Sequence, residues 1–188
     1  MLRHLVALLL AVSMTTGGAA FAAEDDDLPK VGKEAPPFAL PVYNVDAVGE
    51  RMSGTMFMVG EESEDAGAKL VVVSFMASYC KPCKKELPWL QQLYTKNKDR
   101  GLRIVVVSID KEPEGQKIVS ELLKEFKITY PVVKDQYNLT ARNYLGSKFP
   151  LPSVFLVERS GKVAFVSRGY SEEISKTLAD EIEKGLKK

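Results

Sequence analysis

The stretch Val71-Val72-Val73-Ser74-Phe75-Met76-Ala77-Ser78-Tyr79-Cys80-Lys81-Pro82-Cys83, continued by Lys84-Lys85-Glu86-Leu87-Pro88-Trp89, decides how the rest of the chain is read. Its β-branched, apolar start is the pattern of a buried strand, and a Cys-x-x-Cys follows at the mouth of a helix. Both cysteines of the 188-residue chain lie within those four positions. A cysteine at a helix N-terminus faces unpaired backbone N–H groups and the positive end of the dipole, which favour its thiolate. Cys80, at the end of the loop, is therefore expected to be the exposed nucleophile. Cys83, one turn in on the same face, is placed to resolve a mixed disulfide. Pro82 presets the backbone of the first turn, where its missing N–H costs nothing, and Lys81 adds a nearby cation.

The segments on either side complete an α/β pattern. Leu70 to Phe75 is expected as a strand and Cys80 to about Asn97 as an amphipathic helix, with Leu87, Leu90 and Tyr94 on its apolar face. Ile104 to Val107 reads as a second buried strand. Gln116 to Phe126 reads as a helix with Ile118, Val119, Leu122, Leu123 and Phe126 on one side. Pro131-Val132-Val133 is a short strand and Asn138 to Tyr144 a short helix. Ser153–Val157 and Val163–Val166 form a hairpin about Glu158-Arg159-Ser160-Gly161. Ser171 caps a last helix, with Glu172 and Glu173 in its first turn. This order implies a mixed sheet built on a central parallel pair, finished by an antiparallel hairpin and covered by helices on both faces. Ahead of it, Phe38-Ala39-Leu40, Val42-Tyr43, Arg51-Met52-Ser53 and Met56–Val59 are expected as an N-terminal extension of short strands.

The first 22 residues stand apart. Arg3 and His4 open them, Leu5 to Met14 is apolar, and Ala20-Phe21-Ala22 is an A-x-A cleavage signal. The apolar run is short for a bilayer span, and no cysteine sits at the cleavage point to carry a lipid. The expected organisation is a signal peptide over 1–22, a flexible acidic lead-in over 23–30 and one domain over 31–188, exported to the periplasm. Removal of the signal leaves 25 basic against 25 acidic side chains and no histidine. That balance carries no electrostatic footprint for nucleic acid. The loop 60–68 holds four carboxylates but lacks the spacing of an EF-hand, so no cation site is assigned to it.

Export also limits what two cysteines can do. As a staple, so small a loop removes little chain entropy, worth roughly 2 kcal/mol. A zinc site lacks ligands in a mature chain with two cysteines and no histidine. Haem attachment needs a histidine where Lys84 stands. A dedicated peroxidase thiol lacks its Thr-x-x-Cys setting, because position 77 is alanine. No metal or other cofactor is implied, and redox exchange by the pair itself remains.

Phe75-Met76-Ala77-Ser78-Tyr79-Cys80-Lys81-Pro82-Cys83 resembles the Phe-Trp-Ala-x-Trp-Cys-x-Pro-Cys segment of thioredoxins, and Pro88 matches the proline that kinks their active-site helix. Leu151-Pro152-Ser153-Val154-Phe155 resembles the segment that carries the family's cis-proline. The export signal, Gly32-x-x-Ala35-Pro36-x-Phe38 and Glu86 are similar to the TlpA/ResA-type extracytoplasmic thiol–disulfide oxidoreductases. The resemblance implies a thioredoxin-like fold, with Pro152 beside the disulfide and the backbone of Leu151 pairing with substrate. It also implies protein disulfide clients such as apocytochrome c and a membrane thiol-transporting electron donor. A monomer is expected, although no residue pattern in the chain carries that expectation. Thioredoxins carry a buried aspartate where this chain has Ser74. The resemblance instead makes Glu86, three residues past Cys83, the proton acceptor, with a raised pKa if buried. Met76 and Tyr79 replace the usual tryptophans, so the surface around Cys80 is expected to select different partners. Trp89 is expected in the core, and Lys84 and Lys85 as solvated helix charges. Oxidation or isomerisation by the same atoms, and a non-catalytic or copper-handling thioredoxin-fold module, stay open at this level.

Overall fold

The computed structural model describes residues 28–48, 56–59 and 67–188. The expected signal peptide, most of the acidic lead-in, Arg51–Ser53 and the loop up to residue 66 lie outside the described residues.

Strand β3 (Leu70–Met76) is the centre of a five-stranded sheet. β4 (Leu102–Ser108) lies parallel beside it, and β5 (Val132–Lys134) parallel beside β4. On the other side β6 (Ser153–Glu158) and β7 (Val163–Arg168) continue antiparallel, giving the order β5-β4-β3-β6-β7. Three parallel strands thus stand where the sequence implied a pair. The third is β5, whose three residues alone give little sign of which way they run. A separate two-stranded sheet pairs β1 (Phe38–Pro41) antiparallel with β2 (Met56–Val59), and α1 (Val45–Val48) lies between them in the chain. Val42 and Tyr43 do not form a strand of their own. Val42 makes an isolated bridge to Val133, and the Tyr43 N–H donates to the Val132 carbonyl at 2.7 Å, so they cover the outer edge of β5.

The alternation of a strand sends neighbouring side chains of β3 to opposite faces. Ser74 meets Glu86 of α2 (Lys81–Asn97), and Leu70 meets Gly185 of α5 (Glu172–Leu186). Phe75 points the other way, to Tyr144 of α4 (Leu139–Leu145) and to Phe155, at ring-centroid distances of 5.2 and 6.1 Å. Both faces of β3 are therefore covered, which is why its run is apolar without alternation. The Tyr144 hydroxyl donates to the Pro36 carbonyl at 2.7 Å, tying the N-terminal segment to this core by a bond worth about 1 kcal/mol.

Two helix details differ from the sequence reading. α3 (Pro113–Glu125) begins three residues earlier than Gln116, because Pro113 occupies its first turn, where a missing N–H is harmless. Val119, Leu122 and Leu123 are buried as expected, but Ile118 is 39% exposed, since it stands on the flank of the stripe that they define. Trp89 is half-buried against the core, with its ring 6.2 Å from Tyr170. Ser171 caps α5, its hydroxyl accepting from the Ile174 N–H at 3.2 Å.

Candidate active site

The three parallel strands end at one edge of the sheet, and α2 starts there. The turn after β3 is closed by the Cys80 N–H donating to the Ala77 carbonyl at 3.0 Å. Cys80 is the N-cap of α2 in extended backbone, and its Sγ accepts the Cys83 N–H at 3.2 Å. Pro82 lies in the first turn. Cys80 and Cys83 are joined in a disulfide, Cα to Cα 5.3 Å. Cys80 is 7% exposed and Cys83 1%. The order of exposure is as expected, but Cys80 is more covered than the sequence implied. Its sulfur is turned inward, bonded to Cys83 Sγ and capping the helix. Tyr79 beside it is 73% exposed.

Glu86 lies one turn beyond Cys83, on the same helical face. It is buried, and the Ser74 hydroxyl donates to its Oε2 at 2.7 Å. Burial lifts its pKa to about 7, the Ser74 hydrogen bond opposing part of the rise. Tyr130, fully buried, donates its hydroxyl to the Leu87 carbonyl at 3.0 Å. Its pKa is raised well above the usual, first by burial and then by the Glu86 charge. The site therefore holds a carboxyl that changes protonation near neutral pH within one helical turn of the second cysteine.

Ser153, the first residue of β6, pairs with Phe75, so the segment before it arrives at the end of β3 from which the Ala77–Cys80 turn departs. The Leu151–Pro152 peptide is cis. Pro152 is buried and its carbonyl accepts the Gly169 N–H at 2.7 Å, while Leu151 is half-buried. All six sequence-predicted site residues, Tyr79, Cys80, Cys83, Glu86, Leu151 and Pro152, thus belong to the end of β3, the start of α2 or the segment entering β6.

The AhpC/TSA family model matches residues 31–166, most of the described domain. The chain belongs to this family. Within AhpC/TSA it is similar to thiol–disulfide oxidoreductases named ResA. One from Bacillus cereus is 32% identical over 74% of this chain and 70% of its own length. That of Bacillus subtilis (strain 168) is 31% identical over 90% and 83%. Among solved structures, a Chlorobium tepidum protein assigned as a thiol:disulfide interchange protein DsbE superposes with a TM-score of 0.68 at 28% identity, covering 84% of this chain and 99% of that one. StoA from Bacillus subtilis, 21% identical, covers 79% and 97% with a TM-score of 0.59 and supports the fold alone. This AhpC/TSA member is thus a thiol–disulfide oxidoreductase of the ResA/DsbE type, with a thioredoxin-like fold.

Sequence reasoning passed over a second buried carboxyl of this AhpC/TSA domain. Asp110, just past β4, is 6% exposed and bonded to Ser78, two residues before Cys80. A polar Ser108-Ile109-Asp110 closing an otherwise apolar strand was the available signal, since the ends of parallel strands are where sites form. Asp135, past β5, has a local role. Its two oxygens accept the Leu139 and Ala141 N–H groups at 3.1 and 2.7 Å and cap α4.

Proposed function

We propose that this oxidoreductase works outside the cytoplasm, in the periplasm, as a monomer that reduces disulfides of exported client proteins, such as apocytochrome c. Residues 1–22 serve as its cleaved signal peptide, residues 23–30 as an acidic lead-in, and residues 31–188 as the working domain. The Cys80 thiolate attacks one sulfur of the client disulfide. A mixed disulfide forms and one client thiolate leaves. Glu86 accepts the Cys83 proton, and the Cys83 sulfur then attacks Cys80 Sγ. The second client thiolate departs and the Cys80–Cys83 disulfide remains. The client gains two electrons, which the pair recovers from the dithiol of a membrane thiol-transporting donor. Tyr79, Leu151 and Pro152 form the contact surface for the client chain.

The observation that carries the reducing direction is the setting of Cys83. Cys83 is 1% exposed and lies one turn from a buried carboxyl, a setting in which burial disfavours a thiolate. With Cys80 alone gaining from ionisation, the reduced pair holds its electrons less tightly than one in which both thiols ionise, and passes them on more readily. A paired assay tests this. The reduced protein should cleave insulin disulfides readily, whereas the oxidised protein should form disulfides in a reduced, unfolded substrate slowly. The reverse ranking would make the chain an oxidant.

A further inference from the structure

Asp110 has no part in the exchange chemistry above, yet it is more tightly held than any other carboxyl at this edge. The Ile109 N–H donates to the Met76 carbonyl at 3.0 Å and carries the β3–β4 pairing one step past the strand, which sets Asp110 against the turn before Cys80. The Ser78 N–H donates to both carboxyl oxygens, at 3.1 and 2.9 Å, and the Ser78 hydroxyl to Oδ1 at 2.6 Å. The Ser108 hydroxyl donates to Oδ2 at 2.9 Å. From behind, α3 closes on the same group: a Cβ on Gly115 would lie 2.5 Å from Oδ1, nearer than any real Cβ approaches another atom. The carboxyl is thus wedged between α3 and Ser78.

The turn that it holds is buried at Ala77, Ser78 and Cys80 but built from short side chains. Tyr79 faces solvent, and Ala77 and Ser78 offer one methyl and one hydroxyl. The Ala77 carbonyl receives the Cys80 N–H, and Cys80 Sγ in turn receives the Cys83 N–H. A thiolate at Cys80 draws its stabilisation from those first-turn N–H groups only while the turn keeps its sulfur over them. We infer that Asp110, braced by Gly115, is a positioning residue for the Cys80 thiolate, acting through Ser78. The inference rests on the exchange role proposed for Cys80.

The test compares Asp110→Ala, Asp110→Asn and Gly115→Ala with the full chain. Two readings are taken on folded protein: iodoacetamide alkylation of Cys80 in the reduced state at pH 7, located by mass spectrometry, and the equilibrium with glutathione. Asp110→Ala should slow alkylation roughly three- to tenfold, the scale of a charge at a helix end. It should move the equilibrium toward the disulfide by a similar factor, because the reduced form has lost stabilisation. Asp110→Asn keeps an oxygen for the Ser78 N–H, and the hydroxyls can turn to accept from its amide, so it should recover most of both values. Gly115→Ala, which displaces the carboxyl without touching the turn, should shift both readings in the direction of Asp110→Ala. If Asp110→Ala does not fold, Gly115→Ala and Ser78→Ala carry the comparison. A variant that lowers the melting temperature while both readings stay within about twofold of the unaltered chain would overturn the inference, leaving Asp110 a structural strut. A chain that fails to reduce insulin would sink the client-reducing role instead, because alkylation of Cys80 needs no client.

Discussion

Cys80→Ser abolishes turnover of protein disulfides, leaving only the uncatalysed rate. A serine hydroxyl stays protonated near neutral pH and forms no bond to sulfur that a second thiol could displace, so the first step of exchange has no substitute. Cys83→Ser gives a different failure. The Cys80 thiolate still attacks, but nothing resolves the adduct, and client accumulates joined to Cys80. Non-reducing electrophoresis of the two variants, mixed with oxidised insulin, separates these outcomes. Were the pair merely a staple, both variants would lose the same small stability, roughly 2 kcal/mol for so short a loop, and neither would trap a client. The geometry argues against a staple, because the disulfide joins residues of one helical turn that Cys80 already caps through the Cys83 N–H.

Glu86→Gln removes the proton acceptor and keeps the shape. Exchange should slow by about a hundredfold at neutral pH, the lower end of what a positioned acid or base supplies. The inflection near pH 7 in the rate profile should vanish with it, since that value belongs to the buried carboxyl. The same shift predicts a stability effect of definite sign. The folded carboxyl holds its proton up to about pH 7, whereas in the unfolded chain it lets go near 4.5. Between those values the folded state binds more protons, so stability falls as pH rises. The full advantage is present below the unfolded value and is gone above the folded one, a loss on the order of 3 kcal/mol. Urea unfolding of the oxidised protein at pH 4.5 and pH 8 should show this decline. Glu86→Gln should flatten it and should be the more stable protein at pH 8. Equal pH dependence in both proteins, with unchanged exchange rates, would retire Glu86 as the proton acceptor. Ser74→Ala should raise the Glu86 pKa further, because the hydroxyl it deletes favours the ionised form.

The strand–turn–helix that carries the cysteines was legible because each of its signals is local. β-branched residues mark a strand buried on both faces, and a capping cysteine with Pro82 marks the helix start. Glu86 became legible only through resemblance, since a glutamate in a helix is ordinarily a solvated one. Its bond to Ser74, twelve residues earlier on β3, depends on the packing of α2. Asp110 stayed hidden for the same reason. Its partner Ser78 is 32 residues away, and only the parallel register of β3 and β4 brings the two together. The third parallel strand and the pairing of Val42 with Val133 were missed because β5 is too short for periodicity to show its direction or which edge needs cover. Ile118 shows the limit of helical counting, because a residue at the margin of a stripe is buried only if a neighbouring element reaches it.

The reduction potential of the Cys80–Cys83 couple tests the central claim most directly, because it joins the helix-end thiolate, the buried Cys83 and the nearby Glu86 in one number. Equilibration with glutathione or dithiothreitol buffers, quenched and read by mass spectrometry, should give a single two-electron transition near thioredoxin's value, about −270 mV. A value near about −120 mV, that of a strong periplasmic oxidant, would contradict the account.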